Sequence, residues 1–272
     1  MLNNGRFSPT ICLIVTTLCS FIVYFISNNY NTTKSFQNIL IRSFIDNTSD
    51  NNKSNNDIQF SVGYFQNYIQ ADDDLRVRWL ETIKRYTSLP LSSGYGSHKL
   101  VLLAASILTA DDTKPVMEMG CGYHSTVLFH QIVVNEQKRF LLSTDTDRAW
   151  LSKFEANMSS PLHQFRHVAQ TSEWDNIGVD RPRWSIVFID HKPGERRVVD
   201  IIRLASVTDI MIVHDTETAG YHYEQGLSQF PYRYRFNYLS VFTDVLSKSN
   251  GTLHRRIQRL LELTTNMKLP KE

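Results

Sequence analysis

The chain has 272 residues, 42% of them hydrophobic and 21% charged, with a formal net charge of +2. That length allows one sizeable core, and the near-neutral balance excludes a broad basic field for nucleic acid. The short basic groups Arg181-Pro182-Arg183 and Arg255-Arg256 read as solvated surface, and no internal repeat is evident.

Residues 1–10 are expected on the cytoplasmic side, ahead of a transmembrane signal anchor over 11–27. Ile11 to Ile26 carries no charge. It falls short of the roughly 20 residues of a full span, but Pro9, Thr10 and Ser27 extend it and thin internal membranes tolerate short spans. Arg6 precedes it and the next cation is Lys34, which orients the remainder towards a lumen. A signal peptide cleaved near Cys19-Ser20 is the rival, which would give a secreted protein; the apolar run continuing past that point favours an uncleaved anchor. Residues 28–57 are rich in Asn and Ser and read as a flexible stem. Asn31, Asn47 and Asn52 within it begin glycosylation sequons, as do Asn157 and Asn250 further on. Cys12 and Cys19 lie in the anchor and Cys121 stands alone beyond it, so no disulfide can form within the folded domain.

Residues 58–112 are expected to form a helical cap. Phe65, Tyr68, Ile69, Leu75, Trp79, Leu80, Ile83 and Tyr86 recur at helical spacing, Pro90 closes the run, and an apolar second helix covers Ser97–Ala110. From 113 to 250 strands and helices alternate. Strands are predicted at Val116–Met119, Arg139–Thr144, Phe165–Ala169, Trp184–Ile189 and Ile210–Val213, and helices at His124–Val134, Arg148–Asn157 and Glu195–Ala205. Tyr232 to Ser247 reads as a strand pair at the sheet edge, and 251–272 as a C-terminal tail. Strict alternation implies parallel pairing with right-handed crossovers, hence an α/β, Rossmann-like doubly wound sheet.

The most informative stretch is Val116-Met117-Glu118-Met119-Gly120-Cys121-Gly122, followed at once by a helix and then by a strand ending in Asp145. A glycine turn leading to a second strand that closes on a carboxylate is how doubly wound folds hold a nucleoside, the acid accepting from ribose hydroxyls. The third glycine of a dinucleotide fingerprint is missing, and no nearby Lys or Arg would meet a phosphate. Glu118 ahead of the glycines suits a cationic ligand such as the sulfonium of S-adenosylmethionine. An ordinary strand-to-helix turn is the bland alternative. Glu173-Trp174-Asp175 lies where adenine would be enclosed, with Trp174 as a stacking partner or a core residue.

Two further strand ends carry Asp190-His191 and His214-Asp215. Ligands of doubly wound sheets sit outside the carboxyl ends of the strands. Asp190 and Asp215 end adjacent strands and could share Mg²⁺ or Mn²⁺. His191 and His214 are candidate bases or additional ligands, with His191 preferred as the base if no metal is bound. Asp147 and Asp180 read as helix caps. Arg196 or Arg197 could reach an anionic substrate such as a uronic acid.

The pattern Glu-x-Gly-x-Gly, with Asp145 and Asp190 at successive strand ends, resembles class I S-adenosylmethionine-dependent methyltransferases over about residues 116–247. Within that class, VFIDHKPGERR followed by VHDTE is similar in layout to the Golgi glucuronoxylan O-methyltransferase-like group, although the glycine motif differs. The resemblance implies a methyltransferase-like domain over 113–250. It would transfer a methyl group from S-adenosylmethionine to oxygen on a carbohydrate or other small hydroxylated acceptor. Glu118, Gly120 and Gly122 would shape the methionine pocket, Asp145 would hold the ribose, and Asp190, His191, His214 and Asp215 would form the reaction centre. The location implied is a single-pass type II glycoprotein of the Golgi or endoplasmic reticulum. A metal-assisted O-methyltransferase is the other similar template, but Thr216 stands where that group has Asn. The rivals are a catalytically inactive methyltransferase-like scaffold or glycan-binding protein, and an NAD-dependent enzyme, against which the absent Tyr-x-x-x-Lys pair argues.

Overall fold

The computed structural model describes residues 72–271. The predicted anchor, the stem, the sequons at Asn31, Asn47 and Asn52, Cys12, Cys19 and the first part of the cap lie outside the described residues. Among the described residues, no helix is long and apolar enough to cross a membrane.

Helices α1 (Asp72–Tyr86) and α2 (Gly96–Leu108) precede strand β1 (Val116–Met119). Next come α3 (Thr126–Phe129, continuing as a π-helical segment His130–Glu136), β2 (Leu141–Asp145), α4 (Arg148–Met158), β3 (His163–His167), β4 (Trp184–Ile189), α5 (Arg197–Leu204) and β5 (Thr208–His214). The chain closes with α6 (Glu224–Leu227), β6 (Tyr232–Phe236), β7 (Thr243–Ser247) and α7 (Gly251–Met267). The seven strands form one sheet in the order β3-β2-β1-β4-β5-β7-β6. The first five are parallel, and β7 runs antiparallel to both β5 and β6. This is the doubly wound layout with an edge hairpin expected for the class I methyltransferase fold.

The central strands β1, β4 and β5 are buried throughout, as strands covered on both faces must be. Their side chains alternate between two cores. Val116, Ile186, Phe188, Ile210 and Ile212 pack with α2, α3 and α7 on one face. Met117, Met119, Val187, Ile189, Met211 and Val213 pack with Trp174, Trp184 and α5 on the other.

Several predicted boundaries move by one or two residues, and two departures have identifiable reasons. The third strand begins at His163 rather than Phe165, because His163 is drawn fully inside by Ser143 Oγ at 3.0 Å and His130 Nδ1 at 2.9 Å. Most of the segment read as a tail is helix α7. Its buried Leu253, Ile257, Leu260, Leu261 and Thr264 follow a helical period, and it is capped by Asn250, whose side chain accepts from Leu253 N. The sequon at Asn250 thus coincides with a helix cap, whereas Asn157 is exposed near the end of α4.

Leu261 is fully buried in the core shared with α2. Leu261→Ala is expected to destabilise the protein by about 2–5 kcal/mol in urea unfolding. A change near zero would return residues 251–267 to a solvated tail.

Candidate active site

The turn after β1 is built around a close approach of two strands. Gly120 has φ +100, and a Cβ there would lie 2.5 Å from the carbonyl oxygen of Asp190. Gly120 is therefore required by the neighbouring β4 end, not by a ligand. Gly122 is different: the nearest atom a Cβ would meet is Ser125 Oγ at 3.3 Å, which leaves the turn open on its other side. Asp145, at the end of β2, fastens this turn. Its Oδ2 accepts from Cys121 N at 2.8 Å and its Oδ1 from Asp147 N at 2.8 Å. The carboxylate is partly exposed and retains lone pairs for a ligand.

Glu118 does not face that opening. It is fully buried, and accepts from Thr126 Oγ1 at 3.0 Å and from Ser143 Oγ at 2.6 Å. Thr126 Oγ1 in turn accepts from Gly122 N at 2.9 Å. The acid of the glycine motif thus holds the turn from beneath and does not meet a cationic ligand. Burial pushes its carboxyl up to about 7, against the lowering effect of the surrounding hydroxyls. Burial also drives the Cys121 thiol well above its ordinary value, which disfavours the thiolate.

The second half of the site lies at the ends of β4 and β5. Asp190 and His214 continue the alternation of Ile186–Phe188 and Ile210–Ile212, so both point to the face covered by α2. There they meet His98, the third residue of α2: His98 Nδ1 lies 3.3 Å from His214 Nε2. His214 Nε2 is also 3.3 Å from Asp215 Oδ1, and Thr243 Oγ1 is 3.2 Å from His214 Nδ1. Asp215 has φ +59, a left-handed conformation that turns it out of the strand. The guanidinium of Arg197 joins the two acids, Nη2 at 2.9 Å from Asp190 Oδ1 and Nη1 at 3.3 Å from Asp215 Oδ2. Burial and the Asp215 carboxylate push Asp190 up to about 7, with Arg197 opposing. Burial lowers both imidazoles, His214 to about 4 and His98 well below its usual range. The mouth of this cluster carries Tyr95, half-exposed and stacked on His124 with centroids 4.8 Å apart.

Several expectations change as a result. His191 sits one residue out of phase with Asp190 and points to the opposite face. There its fully buried ring stacks on Trp174 at 4.1 Å, and Nε2 lies 3.1 Å from Asp200 Oδ2, although misaligned for a hydrogen bond. It cannot reach a substrate as base. Trp174 is likewise fully buried in the core beneath that histidine and is closed to adenine. Asp190 and Asp215 do not fit a cation held by both carboxylates, because Arg197 already joins them. Neither arginine is directed at a substrate: Arg196 pairs with Asp175 and Asp200. Asp190, His214 and Asp215 do come together, and Asp145 stands at the adjacent turn, near enough for its charge to raise Asp190. His98 was hidden in an apolar helix; nothing local marks it, since its role follows from α2 lying over β4 and β5.

No known protein family and no curated protein matches this chain. Among solved structures it is similar to human methyltransferase-like protein 13 in complex with SAH, at 15% identity and a TM-score of 0.45, over 61% of this chain and 91% of that one. It is similar also to the MycE methyltransferase of the mycinamycin biosynthetic pathway, in complex with Mg and SAH, at 11% identity and a TM-score of 0.42, over 62% of this chain and 55% of that one. A third likeness is to the SAH-bound Podospora anserina methyltransferase PaMTH1, at 11% identity and a TM-score of 0.38, over 74% of this chain and all of that one.

Glu118 gives stability a pH dependence of definite sign. An ordinary Glu ionises near 4.5 and the buried one near 7, so between those values the folded chain holds a proton that the unfolded chain has lost. Stability then falls by up to about 3 kcal/mol as pH rises through that window, and levels off above it. Asp190 adds a slope of the same sign. Glu118→Gln should flatten the dependence of urea midpoints between about pH 5 and 7.5, whereas an unchanged slope would show that Glu118 ionises normally.

Proposed function

We propose that the chain is an S-adenosylmethionine-dependent O-methyltransferase acting on a hydroxylated acceptor, with a carbohydrate of the secretory lumen as the preferred class. The observation that carries this reading is a convergence at one edge of the sheet. The glycine turn fastened by Asp145 and the cluster of Asp190, His214 and Asp215 both lie beyond the carboxyl ends of β1, β2, β4 and β5, where such folds bind ligands.

The residues present fit the cofactor. Asp145 offers free lone pairs to ribose hydroxyls, and Gly122 leaves the turn open beside it. Asp190 and Asp215 share the single guanidinium of Arg197, and Asp145 stands at the adjacent turn, so acids outnumber the cation and favour a cationic sulfonium. When bound, the cofactor would supply an electrophilic methyl group, whose bond to sulfur would be exchanged for one to the acceptor oxygen with a neutral thioether as leaving group. Asp190 and Asp215, held by Arg197, frame the place for the acceptor oxygen. The acceptor proton passes to Asp215, the most exposed acid of the cluster, which is backed by His214.

The uncharged run Ile11–Ile26, the sequons and the exposed Asn157 support a type II membrane glycoprotein with its domain in the Golgi or endoplasmic reticulum lumen. The resemblance of VFIDHKPGERR and VHDTE to glucuronoxylan O-methyltransferase-like proteins supports a sugar hydroxyl as acceptor.

The test is calorimetric titration of the full chain with S-adenosylmethionine and, separately, NAD. S-adenosylmethionine alone should bind, and Asp145→Asn should weaken it about 10–100-fold, the worth of a charge-assisted hydrogen bond. Unchanged affinity in that variant would sink the reading. Binding of neither ligand would leave a methyltransferase-like scaffold.

A further inference from the structure

We infer that His98, His214 and Asp190 form a binding site for one transition-metal dication of the Zn²⁺ or Co²⁺ class. The three residues each offer a ligand atom, and these atoms lie within 4.8 Å of one another. The separation of 3.3 Å between His98 Nδ1 and His214 Nε2 is the edge of a tetrahedron whose metal–nitrogen bonds are about 2.0–2.1 Å. The ligands come from three different elements, α2, β4 and β5, so the sheet and its covering helix preset their spacing.

The surroundings of each ligand fit that role. Thr243 Oγ1, 3.2 Å from His214 Nδ1, can take the Nδ1 proton and leave the Nε2 lone pair facing His98. Arg197 holds Asp190 through Oδ1, which leaves the second carboxylate oxygen for an ion. His98 is the odd group without one. Its ring is 2% exposed, its Nε2 has no hydrogen-bond partner, and the partner its Nδ1 has is another imidazole. Coordination through Nδ1 would replace that imidazole–imidazole contact by a bond to a shared cation.

The donor set selects the ion. Two imidazoles and one carboxylate suit Zn²⁺, Co²⁺ and their neighbours, whereas Mg²⁺ and Ca²⁺ prefer oxygen ligands throughout. The site is distinct from an ion shared by Asp190 and Asp215, whose bridging position Arg197 fills. What the ion does rests on the methyl-transfer reading. It would hold the acceptor hydroxyl and lower its pKa, and Asp215, outside the ligand set, would take the proton.

The experiment is a titration of the full chain with Co²⁺, without S-adenosylmethionine, followed by visible d–d absorption. Saturation at one Co²⁺ per chain is expected, with displacement by Zn²⁺ and none by excess Mg²⁺. His98→Gln and Asp190→Asn should each weaken Co²⁺ by more than about 100-fold, and Thr243→Val by about 10–100-fold, as for an outer-shell partner. If His98→Gln fails to fold, Asp190→Asn and the rise in wild-type melting temperature with Co²⁺ carry the test. Absence of Co²⁺ absorption in the wild type, or unchanged affinity in Asp190→Asn, overturns the site. Because S-adenosylmethionine is left out, failure here does not touch the cofactor result, and failure of that result does not touch the metal.

Discussion

The buried guanidinium of Arg197 is the contact on which the rest of the site depends. It lies 4% exposed at the start of α5, and pairs with Asp190 and Asp215. It also donates to the carbonyl oxygens of His191 and His214 and contacts the hydroxyl of Tyr223. Without that cation two neighbouring carboxylates would repel each other in a half-buried setting, and without the carboxylates a buried cation would be unpaired. Each therefore requires the other. The ends of β4 and β5, which carry every reacting group proposed for this protein, are pinned to one rigid planar fork.

The pleat of the strands sorts the remaining residues. Successive side chains leave a strand on opposite faces, so Asp190 and His214 share the α2 face while His191 goes to the α5 face. One residue of phase separates a group at the site from a group wedged between Trp174 and Asp200. The same pleat places Glu118 in line with Val116, under α3, where hydroxyls rather than a ligand satisfy it. Two acids that look alike as strand-end residues thus serve opposite ends, one holding the turn from inside and one facing the opening.

The glycine turn shows how tightly the two halves of the site are joined. Gly120 exists to let β1 pass against the Asp190–His191 backbone, so the glycine turn and the end of β4 meet across a gap that no Cβ could enter. Asp145 closes the turn from the other strand. Any movement of the turn would carry Cys121 and Gly122 relative to Asp190, which makes the two halves of the candidate site properties of one rigid edge.

By itself the sequence determined the elements and their order. The apolar runs of β1, β4 and β5, the alternation of strands with helices, and the aromatic hairpin of β6 and β7 are local patterns, and local patterns follow from backbone period and burial. It also marked Asp145, Asp190, His214 and Asp215, because polar residues ending buried strands stand out against their neighbours. The helical period of Leu253, Ile257, Leu260, Leu261 and Thr264 was equally legible, although read as a tail. The phase that sends His191 inwards lay in the alternation too. Only the tertiary structure decided that Arg197 would lie between two acids and that His98 would join them. Both residues are remote in sequence from part of what they touch, and both sit in segments whose local signal is ordinary. Their roles come from the packing of α2 and α5 on opposite faces of the sheet, a long-range arrangement that no window of the chain encodes.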